Sequence, residues 1–282
     1  MEKEGNILDW IVYVFYGFIS GLGEILPVSS GAHDYYFDLM SYFDPQQPLL
    51  KLCIHAAVLG ALVLFGRHRI AQVYREMRIA SQPPRLRKRQ PEIMAVLDGK
   101  VTLSMLIPAT FCVLLSNVLY TQVASLTLVV VLLILSGAII YVPHFLRQGN
   151  KDSRHLSRME ALRFGFFGGL SALPGFSRTG ALLSAGTIAG CSRKYMLDIV
   201  LLFLVPLGAV SVMMDILMLI FTGVAITGTM LLYGFLAAVA AFGGASLAIA
   251  ALRYLSVNKG YILFSYYNWG LAIFGFILYL MI

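Results

Sequence analysis

Long apolar segments constrain the fold of this chain more than any other feature of its sequence. A helix needs about 20 mostly apolar residues to cross a bilayer, and six segments approach or exceed that length. They are 49–66, 93–119, 122–146, 195–221, 226–252 and 261–282. Only 12% of the 282 residues are charged, against about 25% in a typical soluble domain. The sequence therefore predicts an all-α, polytopic membrane protein with six full transmembrane helices.

The basic residues are concentrated between these segments. Eighteen of the 21 Lys and Arg residues lie in four clusters, at 67–100, 147–163, 193–194 and 253–259. Positive charge marks the cytoplasmic side of membrane proteins, and all four clusters fall on one side when the apolar segments are threaded between them. Nucleic-acid binding by the basic run 85–89 is the alternative, but membrane anchoring explains the four clusters together. We therefore expect the bilayer, and no nucleic acid, as a partner.

Two further apolar regions, 7–44 and 157–192, are each broken by a proline, Pro27 and Pro174. The halves are short for a membrane span. The first region has acidic residues at both ends, and these are Glu2, Glu4, Asp9, Asp38 and Asp44. The second region begins and ends in basic residues, so each region returns to the side where it starts. We expect two re-entrant helical hairpins, one entering from each side, with both termini outside.

The two regions share a pattern around their prolines. In 21–32 and in 169–181, Gly-Leu precedes Leu-Pro, a serine follows three residues after the proline, and Gly-Ala comes next. An inverted-topology repeat of broken helices is typical of a binding site near the middle of the membrane. We therefore predict one integral membrane domain, 1–282. It would contain a repeat at about 7–120, a second at about 157–252 and a C-terminal span at 261–282.

The segment 174–180 has the composition of an anion site. Its Pro-Gly turn precedes a helix start, whose free N–H groups point towards the turn. Arg178 adds a bidentate cation, and Ser177 and Thr179 add hydroxyl donors. Phosphate or diphosphate is the natural ligand. The alternative, an arginine reaching for the membrane interface, is disfavoured because Arg178 lies 15 residues from the basic loop at Arg163.

The segment 20–33 places polar groups between apolar segments, where they are costly and mark function. Glu24 is a candidate general base or metal ligand. Ser30 and His33 are candidate nucleophiles, and either is also a candidate proton shuttle.

Other polar residues of the apolar regions receive lesser roles. Ser29 and His55 are accessory candidates, although an imidazole in such a segment is more often a packing or hydrogen-bonding residue. Four aspartates receive no catalytic role, and they are Asp34, Asp38, Asp198 and Asp215. We expect the first two at the solvated interface and the last two in helix caps or structural pairs. No sequence motif of nucleotide hydrolysis or of zinc binding stands out in this chain, so neither activity is supported.

Together the two motifs resemble a known family. Residues 24–33 and 174–180 resemble the motifs of undecaprenyl-diphosphate phosphatase, the bacitracin-resistance membrane phosphatase. Residues 52–60, 107–109 and 198–206 resemble further segments of that family, in the same order. The resemblance implies an integral membrane enzyme that removes one phosphate from a C55 polyprenyl diphosphate. The product would be the monophosphate carrier lipid that is reused in cell-wall synthesis.

The resemblance also implies a setting and a cofactor. Family members act at the outer face of the bacterial cytoplasmic membrane and use a divalent cation, Mg²⁺ or Ca²⁺. The substrate partner would be the polyprenyl diphosphate lipid. The sequence leaves the oligomeric state open, a homodimer included.

Most of the family's functional positions are matched in this chain. The matching residues are Glu24, Ser30, His33, Ser177 and Arg178. Glu24 matches the second acid of the family's motif, which implies a role as metal ligand. Ser20 stands where the family has its first Glu or Gln, and Leu182 where a threonine is common. Gly31 and Ala32 replace a small polar pair. The loss at Ser20 removes a metal-ligand or acid/base candidate, so activity or metal use is expected to be weaker or altered.

Our primary hypothesis is hydrolysis of the lipid diphosphate, with Ser30 or His33 as the nucleophile. A carrier-lipid transporter without catalysis is the alternative, because inverted repeats of broken helices are typical of transporters. A phosphatase for another lipid diphosphate is the third hypothesis.

Overall fold

The computed structural model describes residues 7–40, 47–123, 125–147, 149–258 and 261–281. Across these ranges the chain forms α-helices and short 3-10 turns, without a named strand, which confirms the all-α prediction. The helices are α1 Ile7–Ile25, α2 Ser30–Met40, α3 Pro48–Ser81, α4 Ile93–Val123, α5 Leu126–Tyr141, α6 Arg158–Gly169, α7 Arg178–Ile188, α8 Arg193–Thr222, α9 Gly228–Asn258 and α10 Ile262–Met281. The acidic residues Glu2, Glu4 and Asp44, predicted to face outside, lie beyond the described residues.

Six of these helices, α3, α4, α5, α8, α9 and α10, are long and apolar enough to cross a membrane. Each corresponds to one of the six apolar segments predicted from the sequence. The chain is therefore a multi-pass membrane protein, as predicted.

Helix α3 is longer than the sequence analysis expected. The predicted span ends at residue 66, but the helix continues through the basic stretch to Ser81, and a 3-10 turn follows at Pro84–Leu86. Residues 67–81 contain neither glycine nor proline, so nothing in them interrupts a helix. Glu76 lies buried on this extension, where it accepts hydrogen bonds from Arg89 and from the Glu92 N–H at 3.0 Å. These contacts fold the following loop back against the helix.

The two proline-containing regions each form a pair of helices, and the two breaks touch. α1 and α2 are separated by residues 26–29, and α6 and α7 by 170–177. The Gly175 N–H donates to Ser29 Oγ at 2.9 Å. Gly175 has φ +106°, which favours glycine, and it turns its N–H towards the other break. The re-entrant insertion of these pairs and the inverted relation of the two repeats stay predictions.

The helix caps show which residues of the two breaks are structurally equivalent, and this equivalence differs by one position from the one that the sequence pattern suggests. The sequence pattern pairs Ser30 with Ser177, each three residues after its proline. In the structure α2 begins at Ser30 and is capped by Ser29, whereas α7 begins at Arg178 and is capped by Ser177. Each capping Oγ accepts a backbone N–H from three residues on, at 3.2 Å. Ser30 and Arg178 therefore occupy equivalent first positions of their helices.

Helix α1 packs closely along α9 through small residues. A Cβ added to Gly17 would lie 2.3 Å from the carbonyl oxygen of Ala237, and one added to Gly21 would lie 2.2 Å from that of Ala241. Small residues allow such close approach of backbones between membrane helices. This contact fixes the position of α1, and hence of Glu24 in its last turn.

Gly17→Ala is expected to lower the thermal stability of the purified protein in detergent. The added methyl group meets backbone atoms that cannot rotate aside, and overpacking of this kind costs roughly 1–3 kcal/mol. Gly243→Ala in α9 is the matched control, because nothing lies within 4 Å of its Cβ position. Thermal unfolding followed by fluorescence-detected gel filtration measures both variants. Equal unfolding temperatures would contradict the close α1–α9 packing.

Candidate active site

Glu24 lies at the centre of a row of ionisable side chains from four helices. Its Oε2 is 3.3 Å from Nη1 of Arg178, the first residue of α7. Its Oε1 is 4.0 Å from Nε2 of His55 in α3. All three side chains are largely buried, with 15 to 21% of their surface exposed. The structure thus brings Glu24 of the first motif and Arg178 of the second into one site.

His55 continues this row to α8. Its Nδ1 lies 2.5 Å from Oδ2 of Asp215. Because a carboxylate only accepts hydrogen bonds, we assign the hydrogen to Nδ1, which leaves Nε2 directed at Glu24. The prediction of a structural pair for Asp215 is confirmed. The pair belongs to the site, however. No local sequence pattern indicates it, because 160 residues separate the partners.

Arg178 is held on two sides. Its Nε donates to Ser171 Oγ at 2.9 Å, and its Nη1 donates to Glu24. Ser171 in turn donates to the carbonyl oxygen of Gly168 at 2.7 Å. The planar guanidinium is therefore fixed in one orientation, which a lysine in its place would not reproduce.

A cavity of about 10 Å³ lies where these groups meet. Glu24, His55 and Arg178 contribute its polar wall, and Leu204 and Gly208 of α8 contribute part of the apolar one. Such a volume holds about one water molecule. A diphosphate group needs more room, so these ion pairs must separate when a substrate of that size enters.

The two serines of the first motif have different surroundings. Ser29 is buried, and its Oγ accepts the N–H groups of Ala32 and Gly175 at 3.2 and 2.9 Å. Ser30 is partly exposed, and its hydroxyl lies close enough to the carboxylate of Glu24 to stabilise the charge of that group. Of the two hydroxyl groups, that of Ser30 is therefore the one placed beside a base.

Both ring nitrogens of His33 have hydrogen-bonding partners. Nδ1 lies 2.6 Å from the carbonyl oxygen of Ser29, so we assign the hydrogen to Nδ1. Nε2 then accepts a hydrogen bond from the hydroxyl of Tyr267 in α10, at 2.7 Å. Tyr267 lies 234 residues from His33 in the chain, and it is not among the candidates predicted from the sequence. These bonds leave no lone pair of the ring directed at the cavity.

The phosphate-binding candidates of the second motif face inward. Ser177 is fully buried, and its N–H donates to Ser136 Oγ in α5 at 3.0 Å. Thr179 is 1% exposed, and its Oγ1 has no hydrogen-bonding partner within the described ranges. Their role as phosphate ligands stays a prediction.

The expectation that Asp34 is solvated or interfacial is wrong. Asp34 is 8% exposed, and its Oδ1 accepts a hydrogen bond from Tyr16 at 2.8 Å. Its Oδ2 lies 2.8 Å from Nζ of Lys51 in α3. The reason is that α2 folds back beside α1, so this face of α2 meets the bundle. Asp38, one turn further on, is exposed as expected.

Lys51 was also missed, although the sequence carries a signal for it. It is the only basic residue of the apolar segment 49–66. A charged residue inside such a segment is costly and is a candidate functional residue.

The donor set around Glu24 does not match a resident divalent cation. Mg²⁺ and Ca²⁺ prefer several oxygen ligands, most of them carboxylates, carbonyls and water. Here Glu24 faces Arg178 and His55, and the position of the family's first acid is the buried hydroxyl group of Ser20. Within the described part of the chain, no group of three or more His, Cys, Asp or Glu is arranged to hold a metal ion. The expected Mg²⁺ or Ca²⁺ at Glu24 therefore does not fit these residues.

Ser29→Ala is expected to destabilise the protein more than the loss of an ordinary helix cap. It removes the cap of α2 and also leaves the buried N–H of Gly175 without its partner, which adds roughly 1–3 kcal/mol. Ser125→Ala is the matched control, because Ser125 caps α5 at an exposed position. Thermal unfolding in detergent compares the two variants. Equal losses would contradict a role for Ser29 in joining the two breaks.

Comparison with known proteins places this chain in a family. The family model described as bacitracin resistance protein BacA matches residues 13–274. A protein of Thermosipho melanesiensis named undecaprenyl-diphosphatase is 24% identical over 94% of this chain and 98% of its own length. Relatives with the same name from Desulforapulum autotrophicum and Methanobrevibacter smithii are 26% and 29% identical, over 94% and 95% of this chain and 96% and 97% of theirs. The chain belongs to the bacitracin resistance protein BacA family.

Proposed function

We propose that this chain hydrolyses undecaprenyl diphosphate to undecaprenyl monophosphate and inorganic phosphate. One observation carries the proposal: the carboxylate of Glu24 pairs with the guanidinium of Arg178 at 3.3 Å, and the hydroxyl of Ser30 lies close enough to stabilise the charge of that carboxylate. A nucleophile, a base and an anion-binding cation are the groups that a metal-free phosphoryl transfer requires. The names of the relatives support the same reaction and favour it over the transporter alternative.

The substrate's two parts match two environments of the protein. The diphosphate requires the polar site at Glu24 and Arg178, and the polyprenyl tail requires the apolar surfaces of the transmembrane helices. A lipid that stays in the bilayer reaches this site laterally, between helices. An extramembrane substrate domain is then unnecessary.

Ser30 is the nucleophile that the contacts favour. Its Oγ attacks the terminal phosphorus while Glu24 accepts its proton. The bond between that phosphorus and the bridging oxygen breaks, and the lipid monophosphate leaves. Water then hydrolyses the phosphoester on Ser30, which releases phosphate and restores the hydroxyl. His33 is the weaker candidate, because Ser29 and Tyr267 engage its ring nitrogens.

Arg178 stabilises the charge that develops on the transferred phosphoryl group. For this the guanidinium must exchange Glu24 for the phosphate oxygens, while Ser171 continues to hold its Nε. The exchange frees the Glu24 carboxylate to act as a base at the moment when the substrate is in place. Ser177 and Thr179, with the first turn of α7, would supply further donors.

We place the site towards the outer face of the bacterial cytoplasmic membrane. The basic clusters mark the cytoplasmic ends of the helices. Along α3, His55 precedes Arg67 by 12 residues, and along α8, Asp215 follows Lys194 by 21 residues. At about 1.5 Å per residue these separations are about 18 and 32 Å. The site thus lies closer to the outer ends.

Phosphate release from undecaprenyl diphosphate by the purified protein in detergent tests this function. Glu24→Gln, Ser30→Ala and Arg178→Lys are each expected to lower kcat by about 100-fold or more, because each removes a group that acts in the transition state. Ser246→Ala is the control, since this hydroxyl group bonds only within α9, to the carbonyl of Phe242. Thermal unfolding confirms that each variant is folded.

Two results would count against the proposal. Wild-type rates for both Ser30→Ala and Arg178→Lys would place the chemistry elsewhere. In liposomes, lipid crossing without phosphate release would favour the transporter alternative. Substrates of different chain length and head group, compared by kcat/KM, would identify a preference for another lipid diphosphate.

A further inference from the structure

We propose that this protein binds the diphosphate with two of its own side chains, Lys51 and Arg178, in place of a resident divalent cation. The inference rests on the proposed function and deepens it, because it names the groups that bind the anionic part of the substrate. It follows from the pairing of charges, from the position of Lys51 and from the residue at position 20.

The first observation is that every carboxylate of the site already faces a basic side chain. Glu24 pairs with Arg178 at 3.3 Å, Asp34 with Lys51 at 2.8 Å, and Asp215 lies 2.5 Å from His55. A divalent cation at Glu24 would lie beside the guanidinium of Arg178, and like charges in a buried site repel strongly. These pairs suit an anion, which can displace a carboxylate from its basic partner. They do not suit a metal ion, which requires the carboxylates as ligands.

The second observation is the distribution of basic residues along the chain. Outside the four basic clusters there are three Lys or Arg residues, Lys3, Lys51 and Arg178. Two of the three lie at this site. A buried ammonium or guanidinium group among membrane helices is costly and is retained where it binds or moves something.

The third observation is the position of Lys51. It precedes His55 by one helical turn, so both side chains lie on one face of α3. Its ammonium group interacts electrostatically with Glu24 and with His55, in addition to its ion pair with Asp34. About 22% of the side chain is exposed. A flexible ammonium group therefore acts on Glu24, the carboxylate that pairs with the fixed guanidinium of Arg178.

The fourth observation is the residue at position 20. Ser20 lies one turn before Glu24 on α1 and is 4% exposed, so a hydroxyl group occupies the place of the family's first acid. The presence of Ser20 in place of that acid removes one candidate metal ligand and leaves Glu24 as the carboxylate that α1 contributes to the site.

Substrate binding then takes the form of partner exchange. Oxygen atoms of the diphosphate replace Asp34 at Lys51 and Glu24 at Arg178. The substrate opens the small cavity by separating these pairs.

Binding of a non-hydrolysable polyprenyl methylenediphosphonate to the full-length protein in detergent tests the proposal independently of turnover. In excess EDTA the Kd, measured by calorimetry, is expected to change less than about twofold when Mg²⁺ or Ca²⁺ is added in excess of the chelator. Lys51→Gln is expected to weaken binding by about 10-fold or more, since a charge-assisted contact is lost. Lys51→Arg is expected to retain most of the affinity, and Lys100→Gln, at an exposed position of α4, all of it.

A second variant separates binding from folding. Lys51→Gln leaves Asp34 buried without its cation, which by itself destabilises the protein. Lys51→Gln with Asp34→Asn removes the pair as a unit. A purely structural role is repaired in this double variant, whereas a binding role is not, so its Kd is expected to stay raised while its thermal stability recovers.

Two results would overturn the proposal. One is loss of analogue binding in EDTA with recovery on adding Mg²⁺ or Ca²⁺. The other is wild-type affinity of the double variant. Phosphate release should likewise persist in EDTA. If binding were metal-independent and weakened by Lys51→Gln, but no phosphate were released under any condition, the proposed hydrolysis would fail while the binding roles of Lys51 and Arg178 would stand.

Discussion

The ion pair between Glu24 and Arg178 is the interaction on which the rest of the site depends. It joins the last turn of α1 to the first turn of α7, two elements 154 residues apart in the chain. Neither charge is stable alone at membrane depth, and removing one partner of a buried pair leaves the other uncompensated. The two broken helix pairs are therefore held together by the same groups that are proposed to bind and attack the substrate. The same side chains therefore contribute to the stability of the fold and to the proposed catalysis.

This arrangement explains why the neighbouring charges are also paired. Lys51 with Asp34 and His55 with Asp215 extend the row on both sides of Glu24. Well-packed apolar residues would stabilise the bundle at least as well as buried ion pairs do. Their presence is consistent with the proposed role in substrate binding, for which a reversible exchange of partners is useful.

Much of the fold could be predicted from the sequence because a membrane imposes length and charge rules on each segment separately. The six spans and the two proline breaks are local features, and both were found. The extension of α3 was missed because the length rule of a membrane span applies only to its apolar part, whereas basic residues are good helix formers and continue the helix to Ser81. The expectation for Asp34 was wrong, and Tyr267 and the partner of Asp215 were missed, for another reason. Each acquires its role from a partner on a distant helix, and a single sequence carries no record of that pairing.

The equivalence of Ser30 and Arg178 as first residues of their helices has an electrostatic consequence. Helices α2 and α7 both begin where the two breaks touch, so the positive ends of two macrodipoles converge on one point. Each end is equivalent to roughly half an elementary charge. Together they add a permanent positive potential of about one charge, fixed in the backbone and independent of any side chain. A diphosphate entering between the helices therefore meets a field that the fold itself provides.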